Sequence, residues 1–479
     1  MTRPTDVSIR PIKDDPMEMD IPTLTAITMS AGGFLLAVSC LLSRVGTRLG
    51  VPVSLLFLAV GMLAGCDGPL GIEFRNFELS HIVGTFALAV VLFAGGMQTP
   101  VRGLKEVVAP ASVLATVGVL LIAGIVSFAA NFAGLPWTEA CLVGAIVSST
   151  DASAVFSLLH GVRLPLRVAR TLELESGLND PVAVILTLAM TSQLLGEWAT
   201  PGELALQVVQ QLTVGLAFGI LLGVTARSLL RHVPLSTPAL IPVLAIGFAL
   251  IAFGTPSMLG GSGFLAAYLA GMIVGNTPLP ARQQMLHVHE SLAWLSQVSM
   301  FLLLGLLINP SELPRVAFHG TVIALVLAFV ARPIAVFLCL LPFRFDLKEK
   351  LFISWSGLRG AVPIVMATVP VLRAETCAPH MVEALDVFDL VFFVVVIGSI
   401  VPGSMVQRAA KWLGLESRTS AEPCQCDELP LTQDQQGTAD AASGLWERLW
   451  RPSRLFDPAG DGKLTTAAST GTLGKNRAI

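Results

Sequence analysis

The sequence predicts an all-α polytopic membrane protein, and three observations lead to this fold class. Hydrophobic residues occupy 53% of the 479 positions and charged residues only 13%, whereas soluble domains carry about 25% charged residues. Apolar runs of about 20 residues, long enough to cross a bilayer, recur almost without interruption from residue 21 to about residue 410. Basic residues concentrate in alternate loops between these runs. Together these features exclude a soluble globular domain.

The apolar runs predict about thirteen membrane-spanning helices. The ninth, at residues 263–276, is the shortest. An odd number of spans places the two termini on opposite sides of the membrane. The predicted spans begin near Thr23, Val53, His81, Ala109, Thr138, Thr171, Leu204, Pro238, Gly263, Ser291, Gly320, Leu351 and Ala384.

The distribution of Lys and Arg among the loops predicts the orientation. Cytoplasmic loops carry an excess of these residues, and one set of alternate loops holds most of them. The other set holds only Arg75, Arg315 and Arg373. We therefore expect a protein of the cell (inner) membrane with its N-terminus outside and its C-terminus in the cytoplasm. The basic residues of the cytoplasmic set are Arg44, Arg48, Arg102, Lys105, Arg163, Arg167, Arg170, Arg227, Arg231, Arg282, Arg344, Lys348 and Lys350.

Three regions follow from this pattern. Residues 1–20 form an acidic tail outside the membrane, without the basic start of a signal peptide, and residues 21–410 form the transmembrane domain. Residues 411–479 are too polar to bury a core and are expected to form a largely disordered cytoplasmic tail. Within the tail, residues 445–456 combine aromatic side chains with arginines. This segment is compatible with a short amphipathic helix on the membrane surface or with a disordered stretch.

Three polar stretches interrupt the apolar spans: residues 148–153 in the fifth, 175–181 in the sixth and 354–363 in the twelfth. Serine and glycine weaken a helix, and proline removes a helical hydrogen bond. Broken helices near the membrane midplane are how secondary transporters expose carbonyl groups to a cation. The alternative is that serine and glycine only permit close helix packing, which leaves the charges of Asp151 and Arg359 unexplained.

The fifth and twelfth spans lie seven apart, so they cross the membrane in opposite directions. This relation is expected of inverted-topology repeats.

The sixth span carries two acids that point in different directions. At about 100° per residue, Glu175 and Asp180 diverge by roughly 140°, so we expect different roles for them. Asp180 precedes Pro181, whose ring would free the carbonyl of Gly177, and oxygen atoms of this kind suit a hard cation. Glu175 is expected to pair with a membrane arginine, because an unpaired buried charge is costly.

A buried carboxylate that binds either a cation or a proton is sufficient to couple the two. If the site opens alternately to each side of the membrane, competition at the carboxylate becomes exchange. Asp180 is the first candidate for this carboxylate, and Asp151 is the second.

At these residues the chain resembles a known family. The Thr150-Asp151 pair, the sequence Glu-Ser-Gly-Leu-Asn-Asp-Pro at 175–181 and Gly-Leu-Arg-Gly at 357–360 are similar to those of NhaP-type sodium or potassium/proton antiporters of the monovalent cation:proton antiporter-1 group. The resemblance extends from about residue 43 to residue 410 and includes Gly-Gly-Met at 95–97 and Ala-Arg-Pro at 331–333. Several of these stretches are closest to the potassium/proton branch.

The resemblance implies roles for individual residues. Glu175 and Arg332 would form a structural ion pair, and Arg359 would stabilise the crossing of the broken helices. The Asn-Asp pair at 179–180 implies electroneutral exchange. The resemblance also implies homodimers, with a dimerisation bundle and a mobile core bundle. The residues implied for cation and proton binding are Asp180, Asn179, Asp151, Thr150 and Ser176.

The chain departs from the family pattern in two places. Ala94 stands where related antiporters often have an acidic residue just before Gly-Gly-Met, so any role of that acid is in doubt. The potassium/proton branch commonly carries large cytoplasmic regulatory domains, whereas only about 70 residues follow the last predicted span, too polar to bury a core.

The expected function is exchange of K⁺ or Na⁺ for H⁺, with the lipid bilayer and a second copy of the chain as partners. A passive cation channel and a transport-dead sensor on the same fold are the alternatives. We expect no cofactor, no resident metal, no nucleic-acid partner and no enzymatic activity, because the sequence holds no hydrolase, kinase or dinucleotide motif. The choice between K⁺ and Na⁺ is left open.

Overall fold

The computed structural model describes residues 21–49, 52–101, 104–151, 164–196, 200–233, 237, 239–278, 282–374 and 381–415. The predicted N-terminal tail, the amphipathic segment 445–456 and the part of the fifth span after Asp151 lie outside the described residues.

The described chain is built from helices, which confirms the predicted fold class. Each predicted span coincides with one helix or with separate helical segments, and six helices are long and apolar enough by length and composition to cross a membrane. The total of thirteen spans stays a prediction. The helices are α1 (Ile21–Leu49), α2 (Val53–Ala64), α3 (Phe77–Gln98), α4 (Val108–Phe132), α5 (Trp137–Ile146), α6 (Leu166–Leu194), α7 (Pro201–His232), α8 (Leu240–Met258), α9 (Gly263–Gly275), α10 (Arg282–Leu306), α11 (Leu313–Cys339), α12 (Leu347–Trp355), α13 (Ala361–Ala374) and α14 (Met381–Trp412).

Side-chain caps fix where several helices begin. The Asn76 side chain accepts a hydrogen bond from the backbone of Leu79 at the start of α3. Thr200 with Glu203 forms a capping box on α7, and Ser262 caps α9. Such caps satisfy backbone N–H groups that have no partner within the helix. The sequence therefore encodes these boundaries locally.

The three polar stretches differ in their effect on the helices. In the fifth span α5 ends at Ile146, and in the twelfth the chain leaves helical geometry between α12 and α13, at residues 356–360. The sixth span was also expected to be weakened, but α6 continues through Pro181. A single proline removes one hydrogen bond of a helix of 29 residues, and the packing of α6 against neighbouring helices keeps it continuous.

A π-helical turn at Leu327–Ala331 precedes Arg332 within α11. The following Pro333 lacks an N–H, so the carbonyl one turn earlier loses its usual partner. The wider turn alters the direction in which the next side chains project, and π turns of this kind occur frequently at functional sites.

The helices pack into two bundles within the described part of the chain. The scaffold bundle contains α1–α3 and α7–α10, and its most extensive packing joins α9 to α3 and α7. The site bundle contains α4–α6 and α11–α14. The bundles meet where α13 packs on α3 and where α6 packs on α9. The polar stretches all belong to the site bundle.

We expect Gly271→Ala to destabilise the scaffold bundle. A Cβ at this position of α9 would overlap the Phe93 carbonyl of α3, and overpacking of a close-packed core costs about 1–3 kcal/mol. Gly254→Ala in α8 is the matched control, because a Cβ there meets no atom within 4 Å. Thermal unfolding in detergent measures both variants. Equal melting temperatures for the two variants would contradict the close approach of α3 and α9.

Candidate functional site

The two interrupted spans meet at a crossover held by backbone and side-chain hydrogen bonds. The Asp151 N–H donates to the Leu358 carbonyl at 3.1 Å. The Arg359 Nη1 donates to the Ser148 carbonyl at 2.7 Å and also to the Ser149 carbonyl. The Asp151 Oδ2 accepts from the Ala361 N–H at 3.3 Å. Residues 148–151 and 358–361 therefore form one compact unit.

The charges at the crossover match the polarity of the helix ends. The Arg359 guanidinium binds carbonyls just after the C-terminal end of α5, where the helix dipole is negative. The Asp151 carboxylate binds the first N–H of α13, where the dipole is positive. Each charge thus stabilises the end of the other broken helix.

Two local details allow this arrangement. Pro363 cannot donate to the Arg359 carbonyl, and the Ser399 hydroxyl of α14 donates to it instead. Gly360 is required because a Cβ at that position would overlap the Asp151 carboxylate. Any side chain at position 360 would displace the acid.

An ion pair joins α6 to α11. The Arg332 Nη1 lies 2.5 Å from Glu175 Oε1, and the Nη2 lies 3.0 Å from Oε2. The two side chains are 3% and 1% exposed, so both charges are removed from solvent. A two-pronged contact of this kind is the strong geometry for arginine and a carboxylate. The ion pair occupies the face of α6 that is directed toward α11.

A second polar cluster connects α6 to the end of the fifth span. The Asn179 Nδ2 donates to Thr150 Oγ1 at 2.5 Å. Thr150 Oγ1 and Ser176 Oγ lie 3.1 Å apart. All three side chains are buried. The cluster holds the interrupted backbone of the fifth span against α6.

Asp180 is 1% exposed and lies beside this cluster on α6. Among the described residues, neither of its carboxylate oxygens accepts a hydrogen bond, and the same holds for Asn179 Oδ1. Pro181 leaves the Gly177 carbonyl without its usual helical donor. The arrangement thus offers buried acceptor oxygens, the ligand type that hard cations prefer.

The structure places the predicted residues in three groups. Thr150, Ser176 and Asn179 form the hydrogen-bonded cluster, with Asp180 adjacent in α6. Glu175 contacts Arg332. Asp151 and Arg359 both lie at the crossover, where Asp151 accepts from the first N–H of α13.

Sequence reasoning missed Ser399 and Tyr268. Ser399 is one of two serines in the apolar α14, and Tyr268 is the only tyrosine of the chain. A polar side chain within an apolar helix is unusual, and this was the feature of the sequence that could have marked both residues. Ala94, which stands where related antiporters often have an acidic residue, is a buried residue of α3.

Comparison with known proteins identifies the family. A family model described as sodium/hydrogen exchanger, transmembrane, matches residues 34–412. The chain belongs to the sodium/hydrogen exchanger family. The matched region includes the crossover, the ion pair and Asp180.

Two relatives are similar over most of their length. The chain is 41% identical over 402 residues to the K⁺/H⁺ antiporter NhaP of Alkalimonas amylolytica. The matched region covers 83% of this chain and 69% of that protein. It is 42% identical over 389 residues to the K⁺/H⁺ antiporter NhaP2 of Shewanella oneidensis, covering 80% and 67%. The structure of the sodium proton antiporter MjNhaP1 from Methanocaldococcus jannaschii has a TM-score of 0.68 and 24% identity, and covers 79% of this chain and 99% of that chain. This last likeness shows a common fold.

We expect removal of either partner of the Glu175–Arg332 pair to destabilise the protein by about 3–5 kcal/mol, because the other charge is left buried without compensation. Glu175→Gln and Arg332→Met test this separately by thermal unfolding in detergent. The double variant removes both charges and should unfold at a higher temperature than either single variant.

Arg373→Met is the control, because Arg373 is an exposed arginine of α13 and exposed charge contacts contribute about 1 kcal/mol or less. A double variant no more stable than the more stable of the two single variants would contradict the pairing.

Proposed function

We propose that this protein is a secondary active antiporter that exchanges a monovalent cation, K⁺ or Na⁺, for H⁺. The observation that carries the proposal is Asp180, a buried carboxylate without a hydrogen-bond partner among the described residues. The names of the relatives support both ions, since two are K⁺/H⁺ antiporters and a third, 27% identical, is the Na⁺/H⁺ antiporter 1 of Methanocaldococcus jannaschii.

The mechanism rests on the cost of a buried charge. An ionised carboxylate away from water is strongly unfavourable unless it is neutralised. Asp180 is neutralised either by a proton or by a bound cation, and the two exclude each other. One carboxylate therefore releases one proton for each cation that it binds, so the exchange moves no net charge.

The other polar residues divide between binding and support. Asn179 supplies a second acceptor oxygen beside Asp180, and Thr150 with Ser176 fixes the Asn179 amide. Glu175 with Arg332 holds α6 against α11. Because Asp151 binds the N-terminal end of α13, we assign its main role to the crossover, with Arg359.

Contacts at the two ends of the helices support the predicted grouping of loops on each side of the membrane. Arg167 donates to the Arg344 carbonyl at 2.6 Å, which joins two loops assigned to the cytoplasm. On the opposite side, Asp67 accepts from the Ser311 N–H at 2.9 Å, which joins two loops assigned to the outside. We further propose that the protein resides in the cell (inner) membrane and forms homodimers through the scaffold bundle.

Alternating access follows from motion between the bundles. Most polar contacts of the site lie within the site bundle, so this bundle can carry Asp180 as a unit. Rocking or sliding of one bundle past the other around a fixed site is the general mode of secondary transporters.

We expect Asp180→Asn to abolish exchange. The amide cannot carry the negative charge that a cation or a proton neutralises. The assay is fluorescence dequenching in everted vesicles energised with a proton gradient, with Na⁺, K⁺, Li⁺ and Rb⁺ added in turn over a range of pH. Asp386→Asn is the matched control, because Asp386 is an exposed acid of α14.

An unchanged cation response in Asp180→Asn would refute the proposed site. Dissipation of the gradient without uphill cation movement in the native protein would indicate a passive pore. If the native protein moves no cations and its cellular function survives Asp180→Asn, the protein would be a sensor.

We expect exchange to be electroneutral, because one carboxylate binds one proton or one monovalent cation. Proteoliposomes on a solid-supported membrane should give no current after a cation jump, while a pH dye inside the vesicles reports proton movement. A current that depends on Asp180 would show that each cycle moves net charge, which would contradict one-for-one exchange.

A further inference from the structure

Tyr268, the only tyrosine of the chain, is completely buried between the two bundles. It belongs to α9 of the scaffold bundle and lies against Gly177 of α6. A Cβ on Gly177 would stand 3.1 Å from the Cε1 and Cζ atoms of the ring and 3.2 Å from Cε2. Three ring atoms therefore lie over a bare α-carbon, and the ring occupies the space that the glycine leaves.

This contact lies next to the proposed cation site. Gly177 precedes Asp180 by three residues, which corresponds to about 4.5 Å along the helix axis. In the proposed orientation α6 runs from the cytoplasm outward, so the ring lies on the cytoplasmic side of Asp180. Ser176, a member of the polar cluster, is the immediate neighbour of Gly177.

The tyrosine is held by the scaffold bundle. Its hydroxyl lies 3.2 Å from the Oγ1 atom of Thr99, the residue that follows α3. The Thr99 hydroxyl donates to the Gly95 carbonyl at 3.0 Å. The Asn276 Nδ2 donates to the Thr99 carbonyl at 2.8 Å. The ring is thus attached to α3 and α9 of the scaffold bundle.

On the face of α6 that lies under the Tyr268 ring, only Gly177 leaves enough space for the ring. Residues one turn apart share a helix face, so Glu173 precedes Gly177 on this face and Pro181 follows it. Either side chain would fill the space that the ring takes over Gly177. A shift of α6 by one turn, about 5.4 Å, therefore breaks the contact in both directions.

We propose that Tyr268 is a positioning residue of the exchange reaction, which closes the cytoplasmic side of the Asp180 site when its ring rests on Gly177. This proposal rests on the proposed antiport: the contact between Tyr268 and Gly177 forms and breaks during each exchange cycle. The site opens to the cytoplasm when α6 moves relative to α9 and the ring leaves the glycine.

Thiol labelling tests the closure without requiring transport. Ser176→Cys is introduced into a chain whose native cysteines are replaced, and a membrane-impermeant maleimide is added to everted vesicles, which expose the cytoplasmic face. Adding Tyr268→Ala should raise the labelling rate about tenfold, the factor that a loss of roughly 1.4 kcal/mol from the closed contact gives. Tyr268→Phe keeps the ring and should leave the rate within about twofold of the parent.

Right-side-out vesicles provide the control for general loosening. Labelling from the outside should be the same with and without Tyr268→Ala. No rise from the cytoplasmic side, or an equal rise from both sides, would overturn the proposal.

A size-rescue experiment tests the role in the cycle. Gly177→Ala presses a methyl group on the ring and should lower the maximal exchange rate about tenfold, which corresponds to roughly 1.4 kcal/mol of activation free energy, with the cation KM unchanged. Gly177→Ala combined with Tyr268→Leu, a smaller side chain, should recover the rate, whereas Gly177→Ala combined with Tyr268→Phe should not. Recovery in neither pair, or in both equally, would overturn the proposal.

The two hypotheses fail in different ways. If Asp180→Asn leaves exchange intact while labelling still depends on Tyr268, the proposed cation site is wrong and the closure stands. If Asp180→Asn abolishes exchange while labelling ignores Tyr268, the closure is wrong and the antiport stands.

Discussion

The mutual charge compensation at the crossover is the constraint on which the site depends. Two helices stop inside an apolar environment, and each leaves backbone groups that water cannot reach. Arg359 satisfies carbonyls after α5, and Asp151 satisfies the first N–H of α13. Without these charges the broken ends would cost several kcal/mol for each unsatisfied group. The interruption that exposes polar backbone beside α6 exists because the opposite charges cross over to the partner helix.

The same principle separates three buried carboxylates by their surroundings. In the described part of the chain, Asp151, Glu175 and Asp180 are the fully buried acids. Asp151 has a helix end and Glu175 has a guanidinium, so both charges are compensated by the protein itself. Asp180 lacks a hydrogen-bond partner within that part. A carboxylate in this position must take its neutralising charge from outside, and this requirement is what makes it suited to cation and proton exchange.

The sequence predicted what depends on local chemistry and missed what depends on packing between distant segments. The interruption of the twelfth span follows from its glycines and Pro363, and the separation of Glu175 from Asp180 follows from helix geometry alone. The continuity of α6 through Pro181 was not expected, because it depends on neighbouring helices. The contacts of Ser399 with the Arg359 carbonyl and of Tyr268 with Gly177 join residues that are 40 and 91 positions apart. No local pattern encodes such a pairing, although the rarity of a hydroxyl in an apolar helix marks each residue as unusual.

The distribution of contacts explains how a site held so firmly can still change its exposure. The ion pair, the polar cluster and the crossover all lie within the site bundle, so they resist deformation of that bundle and place no restraint on its position. The contacts between the bundles are of another kind, and they include the Tyr268 ring over Gly177 and His81 Nδ1 at 2.9 Å from Thr368 Oγ1 where α3 meets α13. One is a van der Waals contact and the other a single hydrogen bond, and apolar side chains of both bundles pack around them in one core. Rigid-body motion of one bundle against the other would leave the ion pair, the polar cluster and the crossover intact, so Asp180 would move together with its supporting residues.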